Sequence, residues 1–142
     1  MIRPRINFVT LGVTDMVLER GFYERLGLVA SSASAPAVTF FDANSVVLAL
    51  FGHTDLAEDA HVEASPAQAF RGAAVAWNAA SEKEADQILA HAKACGATIV
   101  KEAQKVFWGG YSGYFADPEG HLWEVAYNPF FPLDAAGRVQ LP

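Results

Sequence analysis

Residues 113–129 read GYFADPEGHLWEVAYNP. One apolar run ends at Phe115 and Ala116, Pro118 and Gly120 supply a turn, and a second run begins at Leu122. Pro and Gly between two such runs mark strand, turn and strand. The second run alternates with period two. Leu122, Glu124 and Ala126 share one face, and Trp123, Val125 and Tyr127 share the other. Glu124 is thus an acid placed where a strand buries apolar groups. It is a metal ligand, the polar anchor of a binding cavity, or part of a wet rim.

Working backwards, residues 70–79, FRGAAVAWNA, read as a strand. Ser81 and Glu84 then form a capping box that opens a helix over EKEADQILAHAKAC. Ala85, Ile88, Leu89, Ala92 and Cys95 make its apolar stripe, and Gly96 ends it. ATIVKEAQKVF, YSGYFAD and HLWEVAY follow as three strands. The first half of the chain has the same order. INFVTLGV at 6–13 is a strand, and Asp15 caps a helix in which Leu18, Phe22 and Leu26 repeat at helical spacing before Gly27. GLVASS, AVTFFDA and SVVLALF then read as three strands, with Asn44-Ser45 as the last turn.

The chain therefore repeats a βαβββ pattern. Module one covers about residues 6–52 and module two about 70–129. Residues 53–69, acidic and Ala-rich, read as a linker with a short helical turn, and 130–142 as a C-terminal tail, all within a single domain over 1–142. The expected fold class is α+β. Two such modules form a pair of curved, cupped mixed sheets, a half-barrel pair with one helix on each outer face.

The chain has 142 residues, of which 52% are hydrophobic and 18% charged, which is enough for a real core and too apolar for disorder. A net charge of −6 with scattered basic residues argues against a nucleic-acid partner. The one cysteine, Cys95, excludes an intrachain disulfide framework. No apolar run is long enough for a bilayer span, and the N-terminal residues lack a leader's apolar core. The expectation is a cytoplasmic protein that uses no membrane.

The repeat, the opening VTLGVTD…FYERLGL and the closing FADPEGHLWE together resemble the glyoxalase/bleomycin-resistance/extradiol-dioxygenase superfamily, also called vicinal oxygen chelate (VOC) proteins. The resemblance spans residues 6–129. It implies the paired-module, glyoxalase-like fold and a homodimer. It also implies either metal-dependent lyase, isomerase or dioxygenase chemistry, or metal-free sequestration of a small molecule.

Metal-using relatives place ligands on the first and last strands of each module. Counted from Asp15, the first position falls on Phe8, and its repeat on Ala74 (Gly72 if the register shifts by two). The last strand of module one offers Leu50, and that of module two offers Glu124. Glu124 alone can ligate, and a divalent ion needs about three converging donors. No metal is therefore favoured, with Zn, Ni, Mn or Fe held by Glu124 and His53 as the alternative.

By the same resemblance Glu124 lines the cup with Phe8 and Thr10, and Asn78, Tyr111 and Tyr114 are its candidate partners. Trp108 and Tyr111 flank Gly109-Gly110, so they suit an adjustable aromatic wall. The ligand-binding set is thus Phe8, Thr10, Asn78, Trp108, Tyr111, Tyr114 and Glu124. Glu124 is also the candidate catalytic residue, as a general base on a C–H acid. His121 reads as a turn residue, and GGYSG lacks the Lys of a phosphate-binding loop. The reading is a small-molecule-binding protein, with a metal-dependent lyase, isomerase or dioxygenase as the alternative.

Overall fold

Both helix starts are realised by side-chain caps. Asp15 Oδ1 accepts from Leu18 N at 3.0 Å, opening α1 (Met16–Leu26). Ser81 Oγ accepts from Glu84 N at 3.0 Å, opening α3 (Glu82–Cys95), and the Glu84 carboxylate reaches back to Ala80 N. Gly27 and Gly96 end the two helices with positive φ, which a residue without Cβ adopts freely. These elements belong to a computed structural model that describes residues 1–66 and 69–142. Residues 67 and 68, at the end of the expected linker, lie outside the described residues. The chain divides into two compact units, Met1–Ala69 and Phe70–Pro142.

In the first unit β1 (Phe8–Val13), β2 (Val38–Asp42) and β3 (Val47–Gly52) form a sheet of order β1-β3-β2. β1 runs parallel to β3, and β2 antiparallel to it. Leu48, Leu50, Thr39 and Phe41 are buried on one face. α1 covers that face: the Tyr23 and Phe41 rings lie 6.0 Å apart, and Thr39 Oγ1 donates to Met16 Sδ. α1 buries Glu19, Phe22, Tyr23 and Leu26. On the other face Phe8, still 53% exposed, meets Phe40 edge to face at 6.1 Å.

Two expectations change here. GLVASS forms only an isolated bridge, Ala30 to Phe41, so this sheet has three strands and not four. Serines in and just after it compete for the backbone: Ser31 Oγ accepts from Ala33 N, and Ser34 Oγ, two residues beyond the segment, accepts from Phe40 N. The start of the expected linker is a full helix, α2 (His53–Asp59), which packs against β1 and β3. His53 Nε2 is 2.7 Å from Ser65 O, which ties the helix to the connector after it.

In the second unit β4 (Val75–Ala79), β5 (Thr98–Lys105), β6 (Tyr111–Ala116) and β7 (Leu122–Tyr127) form a sheet of order β4-β7-β6-β5. β4 and β7 are parallel and the other pairs antiparallel. α3 lies across all four strands, burying Ala85, Ile88, Leu89, Ala92 and Cys95. Beneath it Phe115 and Trp123 stack at 5.7 Å with Val125 fully buried beside them. Helix-period and strand-period apolar stripes thus meet as expected. The tail closes on itself through a Leu133–Val139 bridge. Together the two units make an α+β fold of two mixed sheets, three- and four-stranded, with helices.

β5 is irregular. Its register against β6 shifts on both sides of Lys101, and the bulged backbone lies against Gly113. A Cβ on Gly113 would stand 2.6 Å from Lys101 O and 2.7 Å from Ala103 N. Neither atom can swing away as a side-chain tip would. Gly113→Ala is expected to destabilise the protein by about 1–3 kcal/mol, as overpacking does, read as a lower midpoint in urea denaturation.

Candidate functional site

The β6–β7 hairpin builds the most developed polar arrangement in the second unit. Asp117 ends β6 and is 2% exposed. Its Oδ1 accepts from Glu119 N at 3.0 Å and His121 N at 2.9 Å, and Oδ2 lies 2.8 Å from His121 Nδ1. The reading of His121 as a plain turn residue is corrected: it is buried and paired. Pro118 and Gly120 make the turn, and the acid inside it holds both ends. The sequence signal was the Asp-x-x-x-His spacing, whose meaning depends on the turn folding the histidine back.

Closing that turn sets the β6–β7 register, in which Tyr114 stands opposite Glu124. Tyr114 Oη donates to Glu124 Oε2 at 3.2 Å. Burial, first, and the neighbouring Glu124 charge raise the Tyr114 pKa above 10.0, so the phenol stays protonated and the donor. Among the described residues no donor reaches Glu124 Oε1. Tyr114 also lines a pocket of about 370 Å³ with Phe70, Ala74, Val100, Lys101 and Leu122. All of these residues belong to the second unit. The pair therefore joins an apolar cavity wall to a carboxylate.

The other expected site residues are distributed as follows. Asn78 is half-buried on the Glu124 face, since Ala76 and Asn78 pair with Glu124 and Ala126. Tyr111 points to the other face, where its Oη donates to Asp86 of α3 at 2.6 Å. Trp108 folds over Gly110, whose Cβ would fall inside the Trp108 ring. Phe8 and Thr10 lie exposed along β1 in the first unit.

The other positions at which the resemblance leads one to expect ligands fit a metal poorly. Leu50 is fully buried on the face under α1, Phe8 presents only its ring, and Ala74 contributes a methyl to the pocket. His53 is engaged by Ser65 O through Nε2. Glu124 is the sole oxygen donor in that set.

The comparisons with known proteins bear on this arrangement. The family profile described as the glyoxalase/bleomycin resistance protein/dioxygenase superfamily matches residues 5–125.

The chain belongs to that superfamily.

A solved structure of a glyoxalase-related enzyme from Fulvimarina pelagi is 32% identical, covering 96% of this chain and 97% of its own, with a TM-score of 0.86. A glyoxalase/bleomycin resistance protein/dioxygenase from Nocardioides is 26% identical over 100% of this chain and 92% of its own, at 0.77. The likeness to a lactoylglutathione lyase from Agrobacterium tumefaciens is one of fold: 22% identity over 89% of this chain and 96% of that one, at 0.69. No curated protein matches the sequence significantly. Superfamily members often use divalent metals, so the poor fit at Phe8, Ala74 and Leu50 is a departure within a shared fold.

Two outcomes test this geometry. Asp117→Ala strands three buried donors and is expected to cost about 2–4 kcal/mol, measured by chemical denaturation. The hydrogen bond to Asp86, then burial, raises the Tyr111 pKa from 10.0 to about 12. A folded-state pKa above the unfolded one adds stability that is complete below pH 10 and is lost as pH rises toward 12. Asp86→Asn is expected to bring the Tyr111 titration back toward that of free tyrosine, followed by tyrosinate absorbance.

Proposed function

We propose that this VOC protein binds a small molecule in the second unit's pocket without the superfamily's standard metal, with Glu124 as polar anchor. One observation carries the reading: the Tyr114–Glu124 hydrogen bond stands at the wall of an apolar pocket. Apolar walls supply affinity through buried surface, and one oriented polar pair supplies orientation. Glu124 Oε2 is engaged by Tyr114 at the pocket wall, so Oε1 is the atom left to accept from a ligand hydroxyl that reaches past it. Asn78 shares that face and can add a second polar contact. In the cytoplasm, as a homodimer like most superfamily members, such a protein would sequester its ligand.

Four facts support the metal-free form: Phe8 and Ala74 carry no donor, Leu50 is turned under α1, and His53 is held by Ser65 O. The same geometry also suits Glu124 as general base on a bound C–H acid, because among the described residues no donor reaches Oε1.

The test is a thermal-shift screen of small apolar molecules bearing one hydrogen-bond donor. Hits are expected to stabilise the wild type and to fail on Leu122→Trp, which fills the pocket. Glu124→Gln is expected to weaken them by about tenfold, the scale of one hydrogen bond to a charged group. Metal analysis of protein purified without chelator runs alongside. Stoichiometric Zn, Ni, Mn or Fe that disappears in Glu124→Ala would replace this reading with metal-dependent lyase, isomerase or dioxygenase chemistry.

A further inference from the structure

Among the described residues Lys101 is the one charged residue lining the apolar pocket. It stands opposite Tyr114 in the β5–β6 ladder, at the point where the register shifts on both sides of it. β-Bulges re-aim side chains, and they recur beside binding sites. Here the bulge rests on Gly113, whose missing Cβ lets Lys101 O and Ala103 N come within 2.6 and 2.7 Å of where it would be. The local backbone thus sets the Lys101 position. Among the described residues no carboxylate lies within ion-pair distance of the Lys101 ammonium. The neighbouring Glu102 makes its charge felt at Tyr111, on the α3 side of the sheet. Glu124 is absent from the pocket lining, and its Oε2 is engaged by the hydroxyl of Tyr114, which does line it.

We infer that the pocket's ligand is a small monoanion with an apolar body, a carboxylic acid in its ionised form, whose carboxylate is received by Lys101. The body lies against Phe70, Ala74, Val100 and Leu122, and the Tyr114–Glu124 pair takes any hydroxyl it carries. A purely neutral ligand would leave the unpaired ammonium at the pocket unused. A cationic one would meet it as a like charge, at a cost that Glu124, screened by Tyr114, offsets poorly. The inference rests on the pocket reading above and narrows its ligand class. Lys101 acts by binding and takes no part in bond breaking.

The test compares phenylacetate, its neutral isostere phenylacetamide and phenethylammonium, by calorimetry on the full chain. Phenylacetate is expected to bind wild type about tenfold more tightly than the amide, the scale of a charge-assisted hydrogen bond at a partly exposed site. That preference should shrink as salt is raised. Lys101→Met should abolish the preference and leave amide binding intact, and Lys101→Arg should keep it. Equal binding of acid and amide, tighter binding of phenethylammonium, or a preference that survives Lys101→Met overturns the anion assignment. If binding is then still lost in Leu122→Trp, the pocket reading stands without it. If none of the three probes binds wild type, both fall.

Discussion

One carboxylate holds the hairpin on which the second unit's chemistry depends. Asp117 accepts from the backbone N–H groups of Glu119 and His121 and from the His121 ring, all with little solvent to compete. In water these bonds would be nearly exchanged for hydration, but in a buried turn their loss leaves stranded donors. The closed turn fixes which residue of β6 faces which residue of β7. A slip of one position would put Tyr114 under the helix and Phe115 in the pocket. The Tyr114–Glu124 bond and the Phe115–Trp123 stack are therefore two faces of the same register.

Gly113 adds a second constraint at the same place. It sits between those faces and lets the β5 backbone come close enough to bulge. Without the bulge Lys101 would follow regular alternation. With it, Lys101 and the Tyr114 phenol line one apolar hollow, and the phenol donates to the Glu124 carboxylate. The superfamily fold usually presents metal ligands along its first and last strands. In this chain the last strand carries Glu124, and a phenol and apolar side chains stand near it. The shared fold settles the frame and does not by itself choose a function.

Much of the frame was legible. Asp15, Ser81 and Glu84 announced the helix starts, and Gly27 and Gly96 the stops, because capping is local chemistry within four residues. The period-two pattern of β7 placed Glu124 opposite Trp123 and Val125 for the same reason. The misses were non-local or competitive. Residues 53–59 form a helix that buries no side chain, so no apolar stripe announced it. GLVASS has strand-like residues, but Ser31 within it and Ser34 just after it bond the backbone instead. Tyr111 and Trp108 looked like one aromatic wall from their flanking glycines. Asp86, far away in sequence, draws Tyr111 to the helix side, and Gly110 gives the Trp108 ring a seat.

The sequence by itself determined the repeat, the helix limits, the α+β class, the family and the identity of the lone acid among the expected ligand positions. Each of these is written in spacing and residue type over a few neighbouring positions. Only the tertiary structure decided that His121 is buried against Asp117, that Tyr114 is the partner of Glu124, and that Lys101 faces an apolar pocket. The first depends on a turn that folds the histidine back onto the acid, and the other two on strand register and a bulge, which arise only when separate strands pair.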